Sequence, residues 1–206
     1  MATPPPPSAD LHILFSRFYA ISGAAWRAAK PCFSWRRFEK GAHFIEAGAP
    51  VAELFFLTDG LARFYYLDVQ GREFNKSFAE TGAVLSSVSA LVSGSPSSFF
   101  VQALQSSQCL SVAYRDFLAL TEEFDAWRQL QLRLLEQLVI RKERREADFL
   151  RLSATERYQQ FLREYARVAH AIPNYHIASY LGITEVALSR IRRRLKLTRV
   201  NDPASG

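Results

Sequence analysis

A chain of 206 residues that is 49% hydrophobic and 13% aromatic is long enough to bury one large core or two modest ones. It contains no apolar run near the roughly 18 residues that span a bilayer and opens without the order of charge, apolar core and small residues of a secretory leader, so a cytoplasmic protein with no membrane partner is expected. The net charge of +6 is unevenly placed: residues 1–124 hold 10 Lys plus Arg against 11 Asp plus Glu, whereas residues 125–206 hold 16 against 9, which points to a polyanionic partner for the C-terminal part.

In chain order, residues 1–8 include Pro4 to Pro7 in a row and predict an extended, disordered tail. Leu11, Leu14, Phe15, Phe18 and Ile21 then follow helical spacing. From Cys32 to about Val112 short β-like runs alternate with turn residues: 33–38, 43–46, 54–58, 61–67, 73–78, 98–104 and 109–113, with Gly41, Gly48, Gly60 and Gly71 between them. Many short strands with Gly-bearing turns predict a barrel or jelly roll over residues 9–124.

Beyond Tyr114 the pattern is helical. A short helix over 115–123 precedes a long one over 125–150, in which Trp127, Leu130, Leu134, Leu138 and Arg141 form one line and Leu132, Leu135 and Val139 a second. Two seams ask for two neighbours, the barrel and a second copy, and the first line is assigned to a two-fold dimer interface. Ser153-Ala154-Thr155-Glu156 is a capping box opening a helix with Tyr158, Phe161, Leu162, Tyr165 and Val168, and a hinge is expected near Leu152.

Residues 151–206 end in the most informative stretch, His176 to Leu195. Ile177, Ala178 and Leu181 bury one face of a first helix, Gly182 makes a tight turn, and Thr184 caps a second helix with Ile183, Leu188, Ile191 and Leu195 as its apolar stripe. The opposite face carries Glu185, Val186, Ser189, Arg190, Arg193 and Arg194; from Val186 to Asn201 there are six basic residues and no acidic one. This is the pattern of a helix-turn-helix that reads double-stranded DNA, with Thr184 and the first residues at base edges and the later arginines at phosphates.

Catalytic and metal chemistry find little footing. Cys32 and Cys109 form no CxxC pair and read as small buried hydrophobes, and His12, His43, His170 and His176 are not spaced as a metal pair. The barrel region lacks the clustered His and carboxylate ligands of a jelly-roll enzyme, and no G-x-S-x-G elbow occurs, so no enzyme and no metal are expected. A module that binds a protein partner through the helix-turn-helix is the alternative class, distinguished by salt-independent binding.

A small barrel with Gly-bearing turns, then a long helix, then Ile172-Pro173 leading into His176 to Thr184 and Leu188 to Arg192, resembles the Crp/Fnr superfamily of bacterial transcription regulators. The resemblance implies an α+β chain with a cyclic-nucleotide-binding-like barrel, a homodimer, a winged helix-turn-helix with little chain left for the wing after Leu195, and RNA polymerase as a further partner. Family readers commonly use three positions that fall here on Glu185, Val186 and Arg190. Arg190 suits bidentate pairing with guanine. Val186 stands where many relatives have Glu, so the half-site is this chain's own. Glu185 either accepts from a cytosine amino group or complements the helix dipole.

Relatives that bind cyclic nucleotide are similar in carrying Phe-Gly-Glu for the ribose and, further on, Arg-Ser or Arg-Ala for the phosphate. This chain has Thr81-Gly82-Ala83-Val84 and Pro96-Ser97-Ser98, and no Arg or Lys between Lys76 and Arg115. A buried phosphate with no cation forgoes a charge-assisted bond of about 1.5–3 kcal/mol, so neither cyclic AMP nor cyclic GMP is the expected effector and no cofactor is expected. Two readings stay open: a serine-lined pocket at Gly82, Ser86, Ser87, Ser97 and Ser98 for a small neutral or weakly acidic effector, or a ligand-free barrel filled by Phe78, Phe99 and Phe100.

Overall fold

The computed structural model describes residues 20–195; the expected Pro tail, the helical spacing from Leu11 to Phe18 and the chain after Leu195 lie outside them. Helix α1 (Gly23–Ala29) and a 3-10 turn (Lys30–Cys32) lead into β1 (Phe33–Phe38), β2 (His43–Ile45), β3 (Glu53–Asp59), β4 (Leu61–Leu67), β5 (Glu73–Glu80) and β6 (Val84–Leu85). After α2 (Val88–Ser93) come β7 (Phe100–Ala103) and β8 (Ser107–Ala113), then α3 (Tyr114–Glu123), α4 (Asp125–Arg151), α5 (Ala154–Glu164), a 3-10 turn (Ala169–Ala171), α6 (Asn174–Leu181) and α7 (Glu185–Arg194). The strands make two antiparallel four-stranded sheets, ordered β1-β8-β3-β6 and β2-β7-β4-β5, which face each other as a jelly roll.

Strand β3 shows why this part of the sequence lacks simple alternation. Leu54 and Phe56 turn outward to the helices, Phe55 and Leu57 turn into the barrel, and all four are buried because the sheet is covered on both faces. The β3–β4 turn needs glycine. Gly60 has φ of 114°, and a Cβ there would lie 2.8 Å from the Cα of Ser107. Two elements escape the sequence pattern: β6, with only two residues, and α2, whose serines favour loops. Ser93 Oγ bonds the Ser89 carbonyl at 2.7 Å within that helix.

Helix α4, about 40 Å long at the standard rise per residue, rests its first two turns on the barrel. Trp127 and Leu130 are fully buried against Trp26, Phe117 and Phe56, and Trp127 Nε1 donates to the Ala25 carbonyl at 3.2 Å. This corrects the interface expectation. Trp127 and Leu130 belong to the protomer's own core, Leu134 packs at its edge, Leu138 is half-buried and Arg141 is exposed. The exposed apolar line is the second one, Leu132, Leu135 and Val139, joined by Ile140. The reason is rotational: the face of α4 that meets the sheet is fixed by the α3–α4 corner at Phe124, which sequence periodicity does not register.

Candidate nucleic-acid interface

The helix-turn-helix is built as its sequence suggests. Helix α6 ends on Gly182 in the left-handed conformation (φ 68°), with Gly182 N–H donating to Ser179 O at 3.1 Å and Ile183 N–H to Ala178 O at 3.0 Å, a Schellman closure. A Cβ at Gly182 would also meet the Phe149 ring of α4 at 3.2 Å, so glycine is required by both turn and packing. Thr184 caps α7, its side chain accepting from Ala187 N–H at 3.2 Å. Leu188 and Ile191 are buried with Ile177, Ala178 and Leu181, and Ile183 and Leu195 close the cluster.

Of the expected DNA contacts, Thr184, Glu185, Val186, Ser189, Arg190 and Arg193 all lie exposed along one side of α7. Among the described residues neither Arg190 nor Arg193 makes an ion pair. Arg194 differs, its guanidinium reaching back to the Thr155 hydroxyl of α5. Arg192, on the flank, donates to Asn174 Oδ1 at 2.5 Å.

The second feature was not legible in the sequence: α6 is docked on the outer face of the β4–β5 sheet. Arg63 of β4, only 3% exposed, makes a two-pronged pair with Glu73, donates to Gln102 Oε1 at 2.9 Å and lies 3.9 Å from the Tyr65 ring centre. Its Nη1 is also 3.0 Å from His176 Nδ1, which Asn75 Nδ2 approaches at 3.2 Å. Two donors aimed at Nδ1 make it the acceptor and leave the ring proton on Nε2, so His176 is neutral. Ser179 Oγ accepts from Asn75 N–H at 2.9 Å and donates to Glu73 O at 3.0 Å. Below, Leu61 and Phe78 pack with Phe161, Tyr165 and Tyr180. At the C-terminal end of α6, Arg145 of α4 donates to Tyr180 O at 2.9 Å and Arg157 of α5 to Leu181 O at 3.1 Å, cations on the negative pole of the helix.

The docked histidine carries a pH signature. Burial first, and the Arg63 charge second, hold the His176 pKa at about 4 against an ordinary 6.5. The unfolded chain therefore takes up a proton between these values that the folded chain refuses. Stability is full above pH 6.5 and falls as pH drops toward 4, by up to about 3 kcal/mol from this group. Glu73, held below the usual carboxylate range by the Arg63 hydrogen bond, acts in the same direction at lower pH. Urea unfolding at pH 7 and near pH 4.5 checks this: His176→Asn is expected to flatten the difference, and an equal drop in wild type and variant argues against the assignment.

The expected effector serines do not converge. Gly82 N–H closes on Leu57 O at 2.8 Å, Ser86 Oγ donates to Glu53 O at 3.0 Å, and buried Ser87 lies 3.4 Å from Ser89 Oγ. Ser97 Oγ donates to Phe99 O at 2.8 Å, and Ser98 is exposed. A cavity of about 280 Å³ lies elsewhere, beside the β2–β3 turn, lined by His43, Phe44, Glu46, Pro50, Glu53 and Phe55. Of the expected filling rings, Phe99 faces the barrel interior, but Phe78 lies on the outer face under α5 and α6, and Phe100 stacks on Tyr65.

One cation does face inward. The β4–β5 register passes from Phe64↔Ser77 to Tyr65↔Asn75, leaving Lys76 as the extra residue of a bulge. Its ammonium sits 3.8 Å from the Phe99 ring centre and 5.6 Å from that of Tyr66. Burial and the neighbouring Lys142 of α4 lower its pKa to about 8. Cys109, sealed in the barrel, has its thiol pushed up to about 12 by burial, which removes it as a nucleophile. Among the described residues no cluster of His, Cys, Asp and Glu could hold a metal, and no helix is long and apolar enough to cross a membrane.

Residues 35–124 match the cyclic nucleotide-binding domain family. No curated protein matches the chain in sequence. Among solved structures, a mutant of CooA from Carboxydothermus hydrogenoformans is similar at 19% identity and a TM-score of 0.67, over 89% of this chain and 83% of that one. FixK2 from Bradyrhizobium japonicum is similar at 21% identity and a TM-score of 0.69, over 84% and 89%. CLP from Xanthomonas campestris, described as a c-di-GMP responsive global regulator, aligns at 12% identity and a TM-score of 0.69, over 88% and 96%. The family match thus falls on the barrel, and the chain from that barrel to its C-terminal helices shares the fold of these solved structures.

Proposed function

We propose that the chain is a sequence-specific DNA-binding transcription regulator, not an enzyme, that acts as a homodimer on a pseudo-palindromic site and answers to an effector other than cyclic AMP or cyclic GMP, or to none. The carrying observation is the free outer side of α7: Val186, Ser189, Arg190 and Arg193 are exposed together on a capped, well-packed helix, with no acidic partner for either arginine among the described residues. An arginine left unpaired midway along such a helix is placed for a guanine edge, and one further along for a phosphate. The exposed line Leu132, Leu135, Val139 and Ile140 supports dimerisation through α4. Half-sites read by paired α7 helices then lie one turn of DNA apart, roughly 34 Å.

Selection of bound duplexes from random DNA at near-physiological salt is expected to return a two-fold motif. On that motif Arg190→Ala costs about 1–3 kcal/mol and relaxes preference at one base pair per half-site. Arg193→Ala weakens all DNA alike and lowers the salt slope by about one per protomer. Unchanged specific affinity in Arg190→Ala removes it from the reading role, and salt-independent binding without any enriched motif favours a protein partner instead.

A further inference from the structure

Only Leu152 and Ser153 separate α4 from α5, and each backbone polar group of this elbow is bonded. Leu152 N–H donates to Asp148 O at 3.0 Å, and Ser153 N–H to Glu156 Oε2 at 2.8 Å. The Leu152 carbonyl accepts from Arg157 Nη1 at 2.7 Å, and the Ser153 carbonyl from Arg157 N–H at 2.9 Å. A hinge works through a few residues that absorb a change of φ and ψ, and backbone groups tied at both ends oppose that change. The elbow that sequence suggests as a hinge is therefore braced, and Arg157 supplies two of the four bonds.

The same arginine reaches on to the helix-turn-helix. Arg157 Nη2 donates to Leu181 O at 3.1 Å, and its guanidinium carbon lies 4.8 Å from the ring centre of Phe149, in the last turn of α4. Arg145 lies 4.7 Å from that ring centre and 3.9 Å from the Tyr180 ring centre, and donates to Tyr180 O at 2.9 Å. Phe149 also fills the space beside Gly182, where a Cβ would stand 3.2 Å from the ring. Each cation–π contact is modest alone, but these converge on one ring, and both arginines are held at the last carbonyls of α6. We infer that Arg145, Phe149 and Arg157 clamp the α4–α5 elbow and so set the half-site spacing that the dimer accepts. This rests on the reading of the chain as a dimeric DNA reader. Two copies joined along α4 carry their α7 helices at a separation and tilt fixed by the elbow of each copy, so a locked elbow admits one spacing and a loose one several. The three are positioning residues, acting through the angle of the elbow.

The test uses the full chain on the motif returned by selection, as duplexes with the selected centre, with one or two base pairs added at the centre, or with a single half-site. Each added pair moves the second half-site by about 3.4 Å and turns it by about 34°. Wild type is expected to lose about 100-fold in affinity on one added pair, because the second reading unit is then released. In Phe149→Ala and in Arg157→Met that loss should shrink to about tenfold or less, with affinity for the single half-site within about twofold of wild type. Phe149→Leu, which keeps apolar volume beside Gly182 but offers the arginines no ring face, should fall between wild type and alanine. Without DNA, amide exchange at Leu152, Ser153 and residues 182–184 should quicken about tenfold in Phe149→Ala, while that of residues 54–57 stays unchanged. The inference is overturned if neither Phe149→Ala nor Arg157→Met narrows the spacing loss, if half-site affinity falls as far as full-site affinity, or if exchange at the elbow does not respond. Failure to select any motif sinks the proposed function and the spacing role with it, whereas a selected motif with unaltered spacing preference in the variants sinks the clamp alone.

Discussion

Leu135→Asp combined with Val139→Asp is expected to leave a folded monomer that has lost specific DNA binding. Leu135 and Val139 are 39% and 52% exposed in the protomer, so the change touches no core and the thermal unfolding of the single chain should barely move. In a dimer those side chains face their counterparts, and four carboxylates in an apolar seam are desolvated without partners. Two linked reading units gain about 10² to 10⁴ in affinity from the effective concentration of the second, and monomers forfeit that factor. Light scattering coupled to size exclusion, with titration of a full site and an isolated half-site, measures both consequences. A variant that remains dimeric moves the interface off this face of α4. The companion change Trp127→Ala should do the opposite, unfolding the protomer core rather than the dimer, because Trp127 is wholly buried in it.

Arg63→Met is the second large effect, expected to destabilise the chain by about 2–4 kcal/mol and to free α6 from the barrel. Removing one partner of a buried ion pair costs about 3–5 kcal/mol where both are sealed. Glu73 is 38% exposed at its side chain, which lets water take up part of the loss. The substitution also deprives Gln102 and His176 Nδ1 of a donor, although Asn75 still reaches the histidine. Amide exchange should rise over α6 and α7 before it rises in the barrel, since the docking face loses its central contact while the Leu57, Leu85 and Val101 core does not. Uniform exchange across the chain with an unchanged denaturation midpoint would show that Arg63 does not hold the two parts together.

Local chemistry made much of this protein readable from its residues. The strand runs at 33–38 and 61–67, the capping box at Ser153 and Glu156, the Gly182 turn and the Thr184 cap rest on neighbours within about four positions, where hydrogen bonds and side-chain period leave few alternatives. The exposed side of α7 follows from the same period, since burying Leu188 and Ile191 turns Arg190 and Arg193 outward.

Other features depended on which surfaces meet. The two apolar lines of α4 are equivalent by spacing, and only the corner at Phe124 decides that Trp127 and Leu130 go inside while Leu135 and Val139 stay out. The serines between β6 and β7 read as a pocket because hydroxyls suit ligands, yet in the fold those of Ser86 and Ser97 bond backbone carbonyls nearby. Arg63, Asn75 and His176 lie as far apart as 113 positions, and Lys76 faces Phe99 only because a bulge adds one residue to β5. Sequence alone thus determined the elements, their caps and the exposed face of α7, because these depend on bonds between near neighbours. The burial of one α4 seam, the docking of α6 and the inward lysine were decided by tertiary packing, because burial and charge balance belong to pairs of surfaces that no local pattern specifies.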